Sequence, residues 1–95
     1  MASNITVTPE DLDALHSTCT TQAQQVDSVR TTVDGKIRGT NWKSAASERF
    51  TADWERHHKK GLAELSQALQ ELGRAAREMA ENYRRADQSY HGSGG

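Results

Sequence analysis

The stretch from Gly39 to Ser44 limits most strongly what this chain can fold into, because it separates two helical patterns. Gly39 predicts the left-handed residue that often follows a helix end. Asn41 and Ser44 carry short side-chain acceptors for the free amides of a second helix. The sequence therefore predicts a helix, a turn and a helix, with Trp42 in the turn. Because turns are usually small and polar, this indole is expected to cover the end of a two-helix core, to face a partner, or to do both.

The first helix is predicted over residues 9–38, after a short lead-in at residues 1–8. Thr8 can cap it, Pro9 suits its first position, and Asp11 can complete a capping box. Apolar and small residues then recur at spacings of three and four, which is typical of a heptad seam. The residues predicted to form an interface on this helix are Leu12, Leu15, Cys19, Val26, Val29 and Val33, with Gln22 as a polar break.

The second helix is predicted from about residue 45 to about residue 86 or beyond, where no proline interrupts the chain. Its apolar residues follow two neighbouring heptad lines, which together make a stripe wide enough to meet the first helix and a second surface. The predicted interface residues here are Phe50, Trp54, Leu62, Leu65, Leu69, Leu72 and Met79. The hairpin thus covers residues 9–87, and the glycine- and serine-rich residues 88–95 are predicted to be a flexible tail.

The size of the chain predicts an all-α hairpin that does not stand alone. Its 95 residues are enough for one small domain, and only 34% of them are hydrophobic. A single two-helix hairpin of this size is marginally stable, so we expect a dimer or a hetero-partner, with two hairpins pooling their apolar stripes. The formal net charge of −1 argues against a nucleic-acid partner and against electrostatic binding to a membrane.

The residues that could carry chemistry do not form a known catalytic or metal-binding pattern. His57 and His58 are neighbours and point about 100° apart on a helix, so they cannot easily share an ion. Cys19 and His16 lie on one helix without a predicted pocket. The sequence therefore predicts no enzyme, no metal and no cofactor. No apolar run approaches membrane-spanning length, and residues 1–6 lack the basic and apolar regions of a cleaved signal peptide.

One further pair stands out near the end of the second helix. Tyr83 and Asp87 are four residues apart, which places the phenol and the carboxylate on one helix face, one turn apart. Taken alone, the pair is equally consistent with an aromatic residue at the end of a core beside a solvent-exposed acid.

Taken together, these features resemble the WXG family, the small substrates of type VII secretion systems related to the early secreted antigenic target of mycobacteria. The resemblance covers about Thr8 to Asp87 and includes the tryptophan-led turn, the aromatic residues Phe50 and Trp54, and the Tyr-X-X-X-Asp pair. The chain departs from the family pattern at the turn. Trp42, Lys43 and Ser44 stand where the family has Trp-X-Gly, and serine lacks the backbone freedom of glycine.

The resemblance implies a secreted protein that folds as an antiparallel two-helix hairpin and pairs with itself or with a second WXG-type hairpin as a four-helix bundle. By this analogy Tyr83 and Asp87 form the export signal, which is recognised by the hexameric ATPase of the secretion machinery, and the Trp42 turn is a second docking feature. The protein would be cytoplasmic before export and then secreted or held at the cell surface, without a cleaved signal peptide.

Two other functions remain open at this point. The same hairpin could serve as an intracellular helical adaptor or assembly chaperone with no export role. More weakly supported is a regulatory partner that masks another protein, such as a toxin. The joint presence of Trp42 and the Tyr83/Asp87 pair favours secretion, because an ordinary adaptor has no need for either.

Overall fold

The computed structural model describes the backbone of residues 7–94 and the side chains of residues 7–87. This part of the chain is all helical, which confirms the predicted fold class. The order along the chain is α1 (Pro9–Gly39), α2 (Ala45–Asp53), a π-helical turn (Trp54–His58) and α3 (Lys59–Gly94). Helix α1 packs antiparallel against α3 in an extended hairpin measuring 74 × 29 × 16 Å. Most of the predicted lead-in, residues 1–6, lies outside the described residues.

Helix α1 begins as its sequence predicts. The Thr8 hydroxyl accepts a hydrogen bond from the amide of Asp11 at 3.0 Å, and the Asp11 carboxylate accepts one from the amide of Thr8 at 3.3 Å. Pro9 occupies the first helical turn, where a backbone N–H would have no acceptor within the helix, so the N–H that proline lacks is not missed. These bonds satisfy amides that a helix start would otherwise leave unpaired.

The turn between the helices differs from the prediction for Gly39. No described residue has a positive φ, and Gly39 is the last residue of α1. The chain leaves the helix instead at Thr40, which is extended and whose hydroxyl donates to the carbonyl of Lys36 at 2.6 Å. Of the two predicted acceptors it is Ser44 that caps α2, in a reciprocal capping box with Ser47.

The second helical segment is interrupted, whereas the sequence predicted one continuous helix from residue 45 to residue 86. A π-helical turn at Trp54–His58 separates α2 from α3. Trp54 lies eight residues before Leu62 rather than the seven of a heptad, and a π-turn accommodates about one extra residue. The π-turn therefore keeps Trp54 on the side of the helix that meets α1, where only 6% of its surface is exposed.

The end of α3 lies beyond residue 86, an extension that the prediction left open. The helix continues past Ala86 to Gly94, so most of residues 88–95, predicted as a flexible tail, lie in a helical backbone. No proline follows residue 86, and the run between Asp87 and His91 contains nothing that ends a helix. The side chain of Tyr90 lies outside the described side chains, and Gly95 lies outside the described residues.

Small residues line the contact between α1 and α3. A Cβ atom added to Gly73 would lie 3.2 Å from the Cβ of Cys19, and the ring Nδ1 of His16 donates to the carbonyl of Gly73 at 2.8 Å. Such distances require two backbones to approach closely, which only small side chains allow. We call this contact the seam; its buried residues are Leu12, Cys19, Ala23, Trp54, Ser66, Gly73, Ala76 and Ala80.

The predicted interface residues divide into three groups in the single chain. Those buried in the seam are Leu12, Cys19 and Trp54; those half-buried are Val26, Val33, Leu62 and Leu69; those exposed are Leu15, Val29, Phe50, Leu65, Leu72 and Met79. The exposed group does not line the contact between α1 and α3. Its assignment to an interface with a second chain stays a prediction.

Candidate functional site

Two rows of exposed apolar residues follow the seam along its length. Each member directly precedes a seam-facing residue: Leu15 precedes His16, Leu65 precedes Ser66, and Leu72 precedes Gly73. On both helices the exposed residue comes one position before the residue that faces the seam. Because the helices run antiparallel, this shared one-residue shift places the two rows on the same side of the hairpin. We call this side the apolar face; its residues are Leu15, Gln22, Val29, Leu65, Leu72 and Met79.

The opposite side of the seam is charged. Asp13, Asp34 and Arg77 directly follow seam-facing residues, which places them on this second side by the same geometry. Arg84 joins α3 to α1 here, because its Nη2 lies 2.8 Å from Asp13 Oδ2 and 3.8 Å from Glu10 Oε2. The hydrogen bond from Arg84 lowers the pKa of Asp13 below its ordinary value of 3.8.

The turn presents a stacked aromatic pair. The rings of Trp42 and Phe50 have centroids 5.9 Å apart and an interplanar angle of 19°, and 42% of Trp42 is exposed. Ser47 positions the turn, because its hydroxyl bridges the carbonyls of Trp42 and Ser44 at 3.3 and 2.9 Å. Lys43 is exposed beside it. About half of the ring is exposed, and contact of Trp42 with a partner stays a prediction.

A different tryptophan covers the seam at its turn end. Trp54 Nε1 donates to Asp34 Oδ1 at 3.1 Å, and Lys59 Nζ and Arg38 Nε lie 3.2 and 2.9 Å from the same carboxylate. The bond from Trp54, followed by that from Lys59, lowers the pKa of Asp34 below 3.8. The indole ring is therefore buried in the seam while its N–H donates to a carboxylate, and a buried tryptophan needs such an acceptor.

The predicted signal residues lie at the far end of the hairpin. Tyr83 is 44% exposed, and Asp87, one helical turn later, is exposed as well. Arg84, between them in sequence, is the residue that binds Asp13 near the start of α1. The structure therefore keeps Tyr83 and Asp87 on one stretch of helix, but it does not bring them to the Trp42 turn, which lies at the other end.

The described residues do not assemble a metal site. No group of three or more His, Cys, Asp or Glu side chains within them could hold a metal ion. A shallow open groove lies on the charged side; it is formed by His16, Thr20, Ala23, Gln24, Asp27, Gln70 and Arg74. Within the described part of the chain, no helix is long and apolar enough to cross a membrane.

Sequence reasoning missed the smallest seam residues. Ser66 and Gly73 were not predicted to be buried, and His16 was considered only for chemistry. A signal was present, because Ser66, Gly73 and Ala80 recur every seven residues and each follows a large apolar residue. A heptad line of small residues indicates close helix packing, but it is easily overlooked beside a line of leucines.

The comparison with known proteins supports the family prediction. The model of a family called WXG100, described as proteins of 100 residues with WXG, matches residues 4–88. No curated protein and no solved structure matches the chain. The match spans the turn, the seam, the apolar face and the Tyr83/Asp87 pair, even though Ser44 replaces the glycine of the motif. This helical hairpin is thus a member of the WXG100 family, the small, non-enzymatic helical proteins associated with type VII secretion.

Proposed function

We propose that this protein is a type VII secretion substrate or substrate-partner that is exported as a folded dimer. The observation that carries the proposal is the exposure of Tyr83, one turn from Asp87, on a part of α3 that Arg84 ties to α1. A tyrosine on a fixed helix end, with a carboxylate on the same face, suits recognition by a groove in a partner protein.

The apolar face supports the dimer. Leucine, valine and methionine side chains along both helices remain about half exposed, with Leu65 at 47%. Contiguous apolar surface of this kind marks a protein–protein interface. In the proposed dimer a second WXG-type hairpin covers this face and completes a four-helix bundle.

The positions of the two docking features also favour a dimer as the exported unit. Trp42 and Tyr83 lie at opposite ends of one hairpin, so a single receptor site cannot contact both in the same chain. Where two hairpins pair antiparallel, the turn of one lies beside the helix end of the other. The receptor that we propose is the hexameric ATPase of the secretion machinery, which meets the protein in the cytoplasm before release outside the cell.

Export from the native host tests the proposal. We compare the culture medium and the cell fraction for wild type, Tyr83→Ala and Asp87→Asn, with Asn82→Ala as a matched change on the same helical turn. Wild type and Asn82→Ala should appear outside without lysis, and the two signal variants should stay inside. Native mass spectrometry establishes that each variant still pairs.

The adaptor or chaperone function makes the opposite prediction. All four proteins would then remain in the cytoplasm while the secretion machinery is active. That result, with the variants folded and paired, would leave the resemblance to secreted proteins as one of architecture alone.

A further inference from the structure

The charge of the chain is divided unevenly along its length. Residues 36–60, which form the turn end of the hairpin, contain seven Lys and Arg against three Asp and Glu. The rest of the chain contains five Lys and Arg against ten Asp and Glu, so the net charge of −1 is the sum of a cationic end and an acidic remainder. We call residues 36–60 the cationic end. A surface of one sign on a nearly neutral protein favours a partner of the opposite sign.

Only two of these cations are engaged within the chain. Arg38 Nε and Lys59 Nζ lie 2.9 and 3.2 Å from the Asp34 carboxylate. The Glu55 carboxylate lies 3.8 and 3.5 Å from the same two cations, so this cluster is neutral as a whole. The other five cations are exposed and form no ion pair with any described residue; they are Lys36, Lys43, Arg49, Arg56 and Lys60.

Two of the unpaired cations flank the stacked aromatic pair. Lys43 directly follows Trp42, and Arg49 directly precedes Phe50. About half of each ring is exposed, 42% for Trp42 and 46% for Phe50. Tryptophan and arginine are among the residue types that most often carry the binding energy of a protein interface. The cationic end therefore joins an aromatic contact to cations that can select the surface around it.

Two acids within the cationic end favour a protein as its partner. Glu48 is exposed and Asp53 is half-buried, and neither forms an ion pair with any described residue. A uniformly anionic surface, such as a lipid bilayer or a nucleic acid, would repel both carboxylates. A protein surface can place a cation opposite each acid and carboxylates opposite the remaining positions.

A paired copy leaves the cationic end open. In the antiparallel pairing proposed above, the start of α1 and the end of α3 of the copy lie beside it. Glu10 and Asp13 at that end already bind Arg84. Glu81 already binds Arg77. These carboxylates are held by their own chain, so the cationic end remains available to a further partner.

We propose that the cationic end docks on an acidic surface of the secretion receptor, with the Trp42–Phe50 pair seated in a recess between its carboxylates. The inference rests on the export function proposed above and adds the chemistry of the receptor surface. Lys43 and Arg49 supply the selection for that surface, and the aromatic pair supplies apolar contact. Attraction between surfaces of opposite charge speeds association and weakens as salt rises.

Binding to the purified hexameric ATPase of the native secretion system tests the inference. We measure the Kd at low and high salt for wild type, K43Q/R49Q and the charge-retaining K43R/R49K. At low salt K43Q/R49Q should bind about tenfold more weakly than wild type, and the difference should shrink as salt rises. K43R/R49K should bind like wild type at both salt concentrations.

R74Q/R77Q provides the matched control. It removes two cations from exposed positions of α3 outside the cationic end and should leave the Kd unchanged. Trp42→Ala should weaken binding at both salt concentrations, because the aromatic contact is apolar. Circular dichroism and native mass spectrometry establish that each variant folds and pairs like wild type.

The possible failures can be told apart. If K43Q/R49Q binds the ATPase like wild type while Tyr83→Ala loses binding, the export signal stands and the cationic end has no part in docking. If wild type does not bind the ATPase, the proposed receptor is wrong, and this inference with it. If K43Q/R49Q loses affinity only for vesicles that contain phosphatidylglycerol, compared with vesicles of phosphatidylcholine alone, the cationic end faces a membrane and the inference is overturned.

Discussion

The seam and the apolar face run along the same two helices, but they are built from different residues. The seam carries small side chains such as Cys19, Gly73 and Ala80 and is buried in the single chain. The apolar face carries large ones such as Leu65 and Leu72, and about half of each is exposed. The small residues let α1 and α3 approach closely, and the larger hydrophobic area remains open for a second chain. Apart from Leu12 and Trp54, the buried residues of the seam are therefore small, and the large side chains of the two helices are half-buried or lie on the apolar face.

The largest effect on folding is expected at the end of the seam. Trp54→Ala removes a buried indole and should lower the free energy of unfolding by about 3 kcal/mol. The matched change on the exposed aromatic pair, Trp42→Ala, should cost about 1 kcal/mol or less, because only one face of the ring is covered. Urea unfolding followed by circular dichroism measures both, and equal losses would contradict the distinction between the two tryptophans.

A charge on the apolar face should separate pairing from folding. Leu65→Asp buries an unpaired carboxylate in the proposed interface and should weaken pairing about a hundredfold, whereas the unfolding of the dilute single chain should change by about 0.5 kcal/mol or less. Sedimentation equilibrium and thermal melting give the two quantities. Gln24→Asp, an exposed change outside this face, should affect neither. If dilute, unpaired Leu65→Asp unfolds at a clearly lower temperature than wild type at the same dilution, this residue belongs to the inner contact instead.

A large side chain in the seam should destabilise the folded single chain. Gly73→Leu adds atoms where a Cβ already lies 3.2 Å from Cys19 and should destabilise the single chain by about 2 kcal/mol. Gly61→Leu is the control, because nothing lies within 4 Å of its Cβ and a helix prefers leucine to glycine. Thermal melting at low concentration compares them. A Gly73→Leu chain as stable as wild type would show that the helices can move apart without loss.

The smallest effect on stability is expected from lowering the pH. The pKa values of Asp13 and Asp34 are lowered in the folded chain, by hydrogen bonds from Arg84 and from Trp54. Their contribution to stability is therefore present above the ordinary value of 3.8 and is lost as pH falls through the lower folded-state pKa. The melting temperature of wild type should fall more steeply below pH 4 than that of D13N/D34N. Parallel melting curves would show that neither carboxylate is coupled to folding.

The sequence was sufficient to predict the hairpin, the capped start of α1 and the family, because each depends on local chemistry or on spacing. The division between seam and apolar face was not predicted. Leu15 and Cys19 both follow the apolar period of α1, and nothing in that period indicates which one meets α3 and which one is exposed. That choice depends on how closely two helices distant in sequence approach each other. The prediction of a left-handed conformation at Gly39 was also wrong, since Gly39 is helical and Thr40 ends the helix in an extended conformation.

The π-helical turn at Trp54–His58 has a consequence for how this protein can vary in length. Deleting one residue there would place Trp54 seven residues before Leu62 in an uninterrupted α-helix, so Trp54 would keep its side of the helix and the local hydrogen bonding would improve. Straightening the turn into α-helix at the present length would instead rotate everything upstream by about 100° relative to α3, carrying Trp54 away from Asp34 and turning the aromatic pair at the tip in a new direction. The π-helical turn thus keeps α2 and α3 in register despite one additional residue. The chain could therefore lose one residue at this turn without misaligning its two ends.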